Sequence, residues 1–113
     1  AAAIADLVSE VSGAFGPLQG VVHAAGVLDR CPLEELDAER LQKTIGPKAA
    51  GAWHLHKSTE ASTGGAPGLF VLFSSISAML GLAGGAAYAA ANAYLDGLAH
   101  WRRERAGGIS VRF

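Results

Sequence analysis

The feature that most restricts the fold of this chain is the uninterrupted apolar run "LFVLFSS" at residues 69–75. A strand with one face in water alternates apolar and polar residues, whereas a strand covered on both faces is apolar throughout. The run follows the loop "STGGAPG" at 62–68 and precedes a helix of small apolar residues. It therefore predicts a central strand of a parallel sheet that is covered by helices.

Helical and strand patterns alternate along the whole chain. The predicted elements are a helix over 4–15, a strand over 18–26, a helix over 32–61, the strand over 69–75, a helix over 84–101 and a strand over 107–113. In the second helix Asp37 is a suitable N-cap, and Gly46-Pro47 should kink the helix or divide it. This order predicts an α/β fold, a Rossmann-like doubly wound parallel sheet of right-handed βαβ units.

Composition excludes several classes of function. Hydrophobic residues make up 50% of the 113 positions and charged residues 17%, which predicts an ordered core. The net charge is −1 and the main basic run, "WRRER" at 101–105, suits a solvated helix end better than a nucleic-acid surface. One cysteine, Cys31, allows no internal disulfide, and no signal peptide or membrane-spanning run is evident. We expect a cytoplasmic protein with no nucleic-acid or membrane partner.

The predicted sheet is small for a complete domain. It has three strands, a helix comes before the first of them, and no strand is followed by a G-x-G-x-x-G turn. We therefore expect residues 1–113 to be the C-terminal part of a larger doubly wound domain. In such sheets the ligand crevice lies beyond the carboxyl ends of the strands, where "HAAG" at 23–26 and "FSSIS" at 73–77 stand.

Lys48 occupies an unusual position in the helix predicted over 32–61. It belongs to a stripe with helical spacing, formed by Leu41, Ile45, Lys48, Ala52 and Leu55. A buried ammonium is costly unless it is paired, so this lysine is a candidate for chemistry. The alternative is that the Gly46-Pro47 break rotates the register and lets Lys48 reach water.

Other candidate residues stand where the crevice should form. Ser75 ends the buried strand, with Ser74 and Ser77 as competitors for any role. Tyr88 and Asn92 are four residues apart and share one face of the following helix. On position alone, Ser75 is equally compatible with a turn residue, and Tyr88 with a core tyrosine whose hydroxyl is satisfied.

A glycine-rich connection joins this serine to the tyrosine. Gly81, Gly84 and Gly85 lie between them, which predicts a loop that brings the start of the helix over the end of the strand.

Tyrosine, serine and lysine together supply what carbonyl reduction requires. These requirements are a proton donor, a second donor to the same oxygen, and a cation that eases ionisation of a phenol with an ordinary pKa of about 10. An asparagine one turn away can hold a water that resupplies the proton.

Four separated segments, in order and spacing, resemble one family. The segments "VVHAAGVLD", "PKAAGAWHLH", "FVLFSSISAMLG" and "YAAANAYLDGLA" are similar to the ketoreductase domain of modular type I polyketide synthases. That domain belongs to the short-chain dehydrogenase/reductase superfamily, and the resemblance runs from about Leu18 to the C-terminus. Asn92 stands where most short-chain dehydrogenases have a lysine, and Lys48 where they have an asparagine. This exchange is typical of the polyketide and fatty acid synthase ketoreductases.

The resemblance implies a role for each candidate residue. Tyr88 is the implied proton donor to the substrate carbonyl, and Ser75 is its hydrogen-bond partner. Lys48 is the implied cation, and Asn92 is the fourth member of the site.

The cofactor implied by the resemblance is NADPH. Ala24, Ala25 and Gly26 are expected to line it, and Lys48 and Tyr88 are expected to touch its nicotinamide ribose. The implied reaction is reduction of a β-ketoacyl thioester to a β-hydroxyacyl thioester in polyketide biosynthesis. The implied partners are the acyl carrier protein that bears this thioester and the remainder of the synthase polypeptide.

The chain departs from the family pattern at its ends and in one motif. The glycine-rich cofactor turn and the last C-terminal segment have no counterpart in 1–113, so we expect a partial domain that is inactive alone. Arg30 replaces the second acid of the L-D-D motif that marks one stereochemical outcome, although Asp29 is kept. Leu80 stands where the opposite type has a tryptophan, which favours the first type.

Two other functions are compatible with these residues. One is a short-chain dehydrogenase that acts on a free small-molecule ketone, and the other is a reductase-like scaffold without activity. "HLH" at 54–56 places two histidines on different helix faces and predicts no metal site. Ser75 lies in no G-x-S-x-G turn, which argues against a hydrolase.

Overall fold

A parallel sheet forms the centre of the molecule, as the apolar runs predict. The computed structural model describes residues 1–63, 67–106 and 109–112 of the chain. The strands are β1 (Gly20–His23), β2 (Leu69–Leu72) and β3 (Ile109–Arg112), in the spatial order β1-β2-β3. Both strand pairs are parallel, so the predicted α/β class is confirmed.

The central strand β2 is buried as its composition predicts. Phe70, Val71 and Leu72 are consecutive and all buried, which is possible only when both faces of the strand are shielded. Val71 lies opposite Val22 of the edge strand β1. Val22 is 63% exposed, so the face of the sheet that carries these two valines is open at β1. The strand predicted over 69–75 is shorter than expected, because regular pairing ends at Leu72.

Helices and strands alternate along the chain in the predicted order. The helices are α1 (Ala2–Phe15), α2 (Ala38–Ile45), α3 (Gly51–Thr63), α4 (Ser77–Leu80) and α5 (Ala86–Ala106). A core of Phe70 and Leu72 with Ala52, Leu95 and Leu98 places α3 and α5 on one face of the sheet. Successive right-handed crossovers in the order β1-β2-β3 place their helices on the same face. In the described part of the chain the covering helices therefore lie mainly on that face.

The helix predicted over 32–61 is divided, as expected, but not by a simple kink. A short 3₁₀ turn (Leu33–Glu35) precedes α2, and Asp37 caps α2 by accepting the Arg40 N–H at 2.8 Å. A π-helical turn (Gly46–Ala50) then leads directly into α3. Pro47 has no N–H for a regular ladder, and a wider turn is one way to continue past it.

The sequence is apolar nearly all round from residue 86 to residue 99, which predicts that α5 is buried on both sides, and this prediction is wrong. Tyr94 is 42% exposed, and Ala90, Ala93 and Gly97 are also exposed. A helix that lies on one face of a sheet buries one stripe, here Ala91, Leu95, Leu98 and Ala99.

The glycine-rich loop turns as its composition predicts. Gly81 and Gly84 have φ values of 76° and 67°, which side chains rarely tolerate. Gly85 has no room for a side chain, because a Cβ there would lie 2.6 Å from Leu82 Cδ2 and 2.8 Å from Leu82 Cγ. The loop also accepts a hydrogen bond from Cys31 N to Gly84 O at 3.0 Å. These contacts bring Tyr88 back over the ends of the strands.

Gly85→Ala in the complete domain is expected to lower the free energy of unfolding by about 1–3 kcal/mol, since Leu82 must move. Urea unfolding followed by circular dichroism measures this change. Gly13→Ala in α1 is the matched control, because nothing lies within 4 Å of its added Cβ. That change is expected to stabilise by about 0.5–1 kcal/mol. Equal effects of the two substitutions would contradict the packing at Gly85.

Candidate active site

Lys48 is buried in the π turn (Gly46–Ala50), and its side chain points toward the end of β2. The residue is 4% exposed, and Nζ donates a hydrogen bond to the Phe73 carbonyl at 2.7 Å. The alternative that Lys48 reaches water is therefore wrong. Burial lowers the pKa of the Lys48 ammonium below its ordinary value, because a charge taken out of water is less stable.

Tyr88 lies in the first turn of α5 and meets this lysine. The Lys48 Nζ atom is 5.4 Å from the centroid of the Tyr88 ring, within the range of a cation–π contact. Tyr88 is only partly buried. The structure thus brings together the predicted cation and the predicted proton donor from distant parts of the chain.

Asn92 lies one turn further along α5 and is fully buried. Its side-chain Nδ2 donates to the Tyr88 backbone carbonyl at 2.8 Å, and its backbone carbonyl accepts from Ser74 Oγ at 3.2 Å. Its Oδ1 atom has no hydrogen-bond partner among the described residues. A buried amide oxygen without a partner is costly, so the site is suited to a water or another donor there.

Ser75 stands at the end of β2, in a turn that begins α4. Its Oγ accepts the Ser77 N–H at 3.2 Å, and the Ser75 hydroxyl makes no other hydrogen bond among the described residues. The hydroxyl proton of Ser75 therefore remains available for a substrate oxygen. Its competitors differ, since Ser74 donates to Asn92 and Ser77 is buried. Of the three serines, Ser75 best fits the predicted role.

The small residues after β1 lie beside the lysine. Ala24, Ala25 and Gly26 are exposed, and a Cβ on Gly26 would lie 3.5 Å from Lys48 Cδ and 3.6 Å from Lys48 Nζ. Lys48 has three N–H donors and uses one on Phe73, which leaves donors for the hydroxyl groups of a sugar. This donor set and the exposed small-residue segment fit a nucleotide cofactor.

The segment that follows β1 is fixed by an ion pair. Arg40 Nε donates to Asp29 Oδ2 at 2.9 Å, and Arg40 Nη2 donates to Asp29 Oδ1 at 3.3 Å. Arg30 is exposed, and Leu80 is 75% exposed on α4. Asp29 of the "VLDR" motif therefore has a structural partner, which position in the sequence did not reveal.

One residue close to the site was not predicted to have a role. His23 is buried at the end of β1, and its Nε2 lies 2.8 Å from the Lys48 carbonyl oxygen. The only sequence signal was a histidine at the end of a strand that is otherwise apolar. That signal does not identify a partner, since the contact spans 25 residues.

Cavities elsewhere do not include these residues. One of about 370 Å³ lies between α3 and α5 around Trp53 and Arg102, and one of about 450 Å³ lies beside it near Tyr94. Among the described residues there is no cluster of acidic, His and Cys side chains suited to a metal ion. None of the described helices has the length and hydropathy that a membrane span requires.

The sequence and the fold are similar to those of known proteins. The chain is 50% identical over 103 residues to the spectinabilin polyketide synthase system protein NorB of Streptomyces orinoci. It is 43% identical over 112 residues to the phenolphthiocerol synthesis polyketide synthase type I Pks15/1 of Mycobacterium bovis. These alignments cover 91% and 97% of this chain but only 5% of each relative.

A solved structure agrees with these relatives. PlmKR1, the ketoreductase from the first module of phoslactomycin biosynthesis in Streptomyces sp. HK803, superposes with a TM-score of 0.87 at 40% identity. The superposition covers 98% of this chain and 25% of that one, and the family model of the KR domain matches residues 1–112. The chain therefore belongs to the ketoreductase domains of modular type I polyketide synthases, within the short-chain dehydrogenase/reductase superfamily of oxidoreductases.

Proposed function

We propose that the domain containing this chain reduces a β-ketoacyl thioester on an acyl carrier protein to a β-hydroxyacyl thioester, with NADPH as the reductant. The observation that carries this proposal is the buried Lys48 ammonium held between the Phe73 carbonyl and the Tyr88 ring. A desolvated ammonium is costly, so its burial beside a phenol favours a site in which the charge serves the chemistry of that phenol.

The cofactor site in this proposal combines Lys48 with the segment of Ala24, Ala25 and Gly26. The family binds a nicotinamide cofactor. When this cofactor is bound in its reduced form, it supplies the hydride. Lys48 donates its remaining N–H groups to ribose hydroxyls, and Tyr88 borders the same ribose. The choice of NADPH over NADH rests on the family resemblance.

Tyr88 is the proposed general acid. Its hydroxyl gives a proton to the oxygen that was the ketone, and the nearby Lys48 ammonium stabilises the phenolate that remains. Ser75 donates a hydrogen bond from its hydroxyl to the same oxygen, while one lone pair of that hydroxyl accepts from the Ser77 N–H. Two donors on one oxygen both orient the ketone and stabilise the charge that develops there.

Asn92 is the proposed anchor for proton resupply. Its Oδ1 accepts from a water, while its Nδ2 is held by the Tyr88 carbonyl. This water connects the site to solvent after Tyr88 has lost its proton. The amide thereby serves the tyrosine without touching the ketone.

The substrate and partners in this proposal follow from the relatives. The chain spans about 5% of NorB and of Pks15/1, so the rest of a synthase polypeptide and its carrier protein are the proposed partners. Residues 1–113 form the C-terminal part of the reductase domain, and the glycine-rich cofactor turn belongs to another part of that domain. The location proposed for the synthase is the cytoplasm.

Tyr88→Phe in the complete domain is expected to lower kcat by about 10²–10⁴-fold, the usual contribution of a general acid. NADPH oxidation with a β-ketoacyl thioester, carrier-bound and free, measures this loss. Tyr94→Phe on the same helix is the matched control, because Tyr94 is 42% exposed and lies outside the site. It is expected to change kcat by about twofold at most.

The outcomes separate the competing functions. Loss of activity in Tyr88→Phe alone supports the proposal. Turnover of free ketones but not of carrier-bound thioesters would indicate a different dehydrogenase. A folded wild-type domain that binds no NADPH would indicate a scaffold.

The pH dependence of the free energy of unfolding, compared between the wild type and Lys48→Met, tests whether the Lys48 ammonium is buried. The folded-state pKa of Lys48 lies below its ordinary 10.5, so between these values the unfolded chain binds more protons than the folded chain. The free energy of unfolding of the wild type, relative to Lys48→Met, is therefore expected to rise with pH within this window. Urea unfolding from about pH 7 to pH 10 measures it, with Lys43→Met as the control at an exposed lysine. A relative stability that falls over this range would contradict a desolvated Lys48.

A further inference from the structure

We propose that His23 is a positioning residue that holds Lys48 in its catalytic place. This inference rests on the proposed function, because it assigns His23 a role through the lysine of that same site. It goes beyond that function in naming a residue that touches neither the ketone nor the tyrosine.

Three hydrogen bonds form a closed circuit around the lysine. His23 Nε2 bonds the Lys48 carbonyl at 2.8 Å, Lys48 Nζ donates to the Phe73 carbonyl at 2.7 Å, and Phe73 N donates to the His23 carbonyl at 3.0 Å. Both ends of Lys48, its backbone and its ammonium, are therefore tied to the ends of β1 and β2. The lysine cannot move without breaking a bond to one strand or the other.

The imidazole secures the part of the helix that departs from regular geometry. Lys48 lies in the π turn (Gly46–Ala50), where its carbonyl also accepts from Gly51 N–H. A π turn amounts to about one extra residue in an α-helix, so its loss would rotate Lys48 relative to α3 by roughly 100°. A rotation of that size would take the ammonium away from Phe73 and Tyr88. The bond from His23 opposes it.

Gly51 provides the space that the ring occupies. A Cβ at Gly51 would lie 3.3 Å from His23 Cε1 and 3.7 Å from the Gly46 carbonyl oxygen, which is tight on the side of the ring. The imidazole thus lies directly against the helix backbone. The absence of a side chain at Gly51, at the start of α3, therefore allows the His23 ring at the end of β1 to pack against the helix.

The chemistry of the contact defines the state of the ring. A carbonyl oxygen only accepts hydrogen bonds, so His23 must carry its proton on Nε2. Burial lowers the pKa of His23, and the Lys48 charge lowers it further, although the bond to the Lys48 carbonyl opposes both effects. A neutral Nε2–H imidazole gives the required donor without a second positive charge beside the ammonium.

His23→Met and His23→Gln in the complete domain form a matched pair of test variants. Their side chains have similar length, but only glutamine provides an N–H donor that can reach the Lys48 carbonyl. Steady-state kinetics with NADPH and a β-ketoacyl thioester, together with crystal structures of all three proteins, are the measurements. Lys48→Met and the double variant with His23→Met complete a double-mutant cycle.

His23→Met is expected to lower kcat by about ten- to a hundredfold, the cost of misplacing a catalytic group by about 1 Å, and to raise KM for NADPH. His23→Gln is expected to recover most of kcat. The His23→Met change is expected to have little further effect in the Lys48→Met background. In the crystal structure of His23→Met, Lys48 Nζ is expected to lie beyond hydrogen-bond distance of the Phe73 carbonyl.

Two results would overturn the proposal. One is an unchanged Lys48–Phe73 contact in His23→Met, and the other is an equal loss of kcat in His23→Met and His23→Gln. The crystal structures need no activity, so they keep this test separate from the proposed function. If the wild-type domain had no reductase activity but Lys48 moved in the crystal structure of His23→Met and not in that of His23→Gln, the proposed function would be refuted and the positioning role of His23 supported.

Discussion

The structure depends on the desolvated ammonium of Lys48. Its side chain has left water almost completely, and one hydrogen bond to the Phe73 carbonyl is its direct compensation. This bond requires the end of β2 to lie beside the π turn (Gly46–Ala50), and the contact of the ammonium with the Tyr88 ring brings the first turn of α5 to the same place. Two local irregularities, Pro47 inside a helix and the π turn itself, lie in one of these segments.

These irregularities are consistent with a functional site. A proline inside a helix, a π turn and a buried amide oxygen without a partner among the described residues each conflict with a local rule. Elsewhere the chain follows such rules, for example at the Asp37 cap and in the consecutive buried residues of β2. Such conflicts near the carboxyl ends of parallel strands are typical of sites that position reacting groups.

Much of the fold could be predicted because it depends on patterns within single segments. Apolar runs located the strands, and Gly-Pro pairs marked the end of α1 and the division of the second helix. The outward face of α5 was misjudged, because Ala and Gly are compatible with burial or exposure and carry no periodic signal. The π turn and α4 were missed, since both are set by contacts with neighbouring strands and loops.

The sequence by itself determined the order of helices and strands along the chain, the family, and the candidate residues of the site. Lys48, Ser75, Tyr88 and Asn92 could be named because their spacing within four segments is specific. Only the tertiary structure decided that Lys48 is buried, that Ser75 keeps its proton free, and that His23 holds the lysine backbone. The reason is physical: desolvation and hydrogen bonding depend on which groups meet in space, and Lys48 meets His23 and Phe73 across 25 residues of chain in each case.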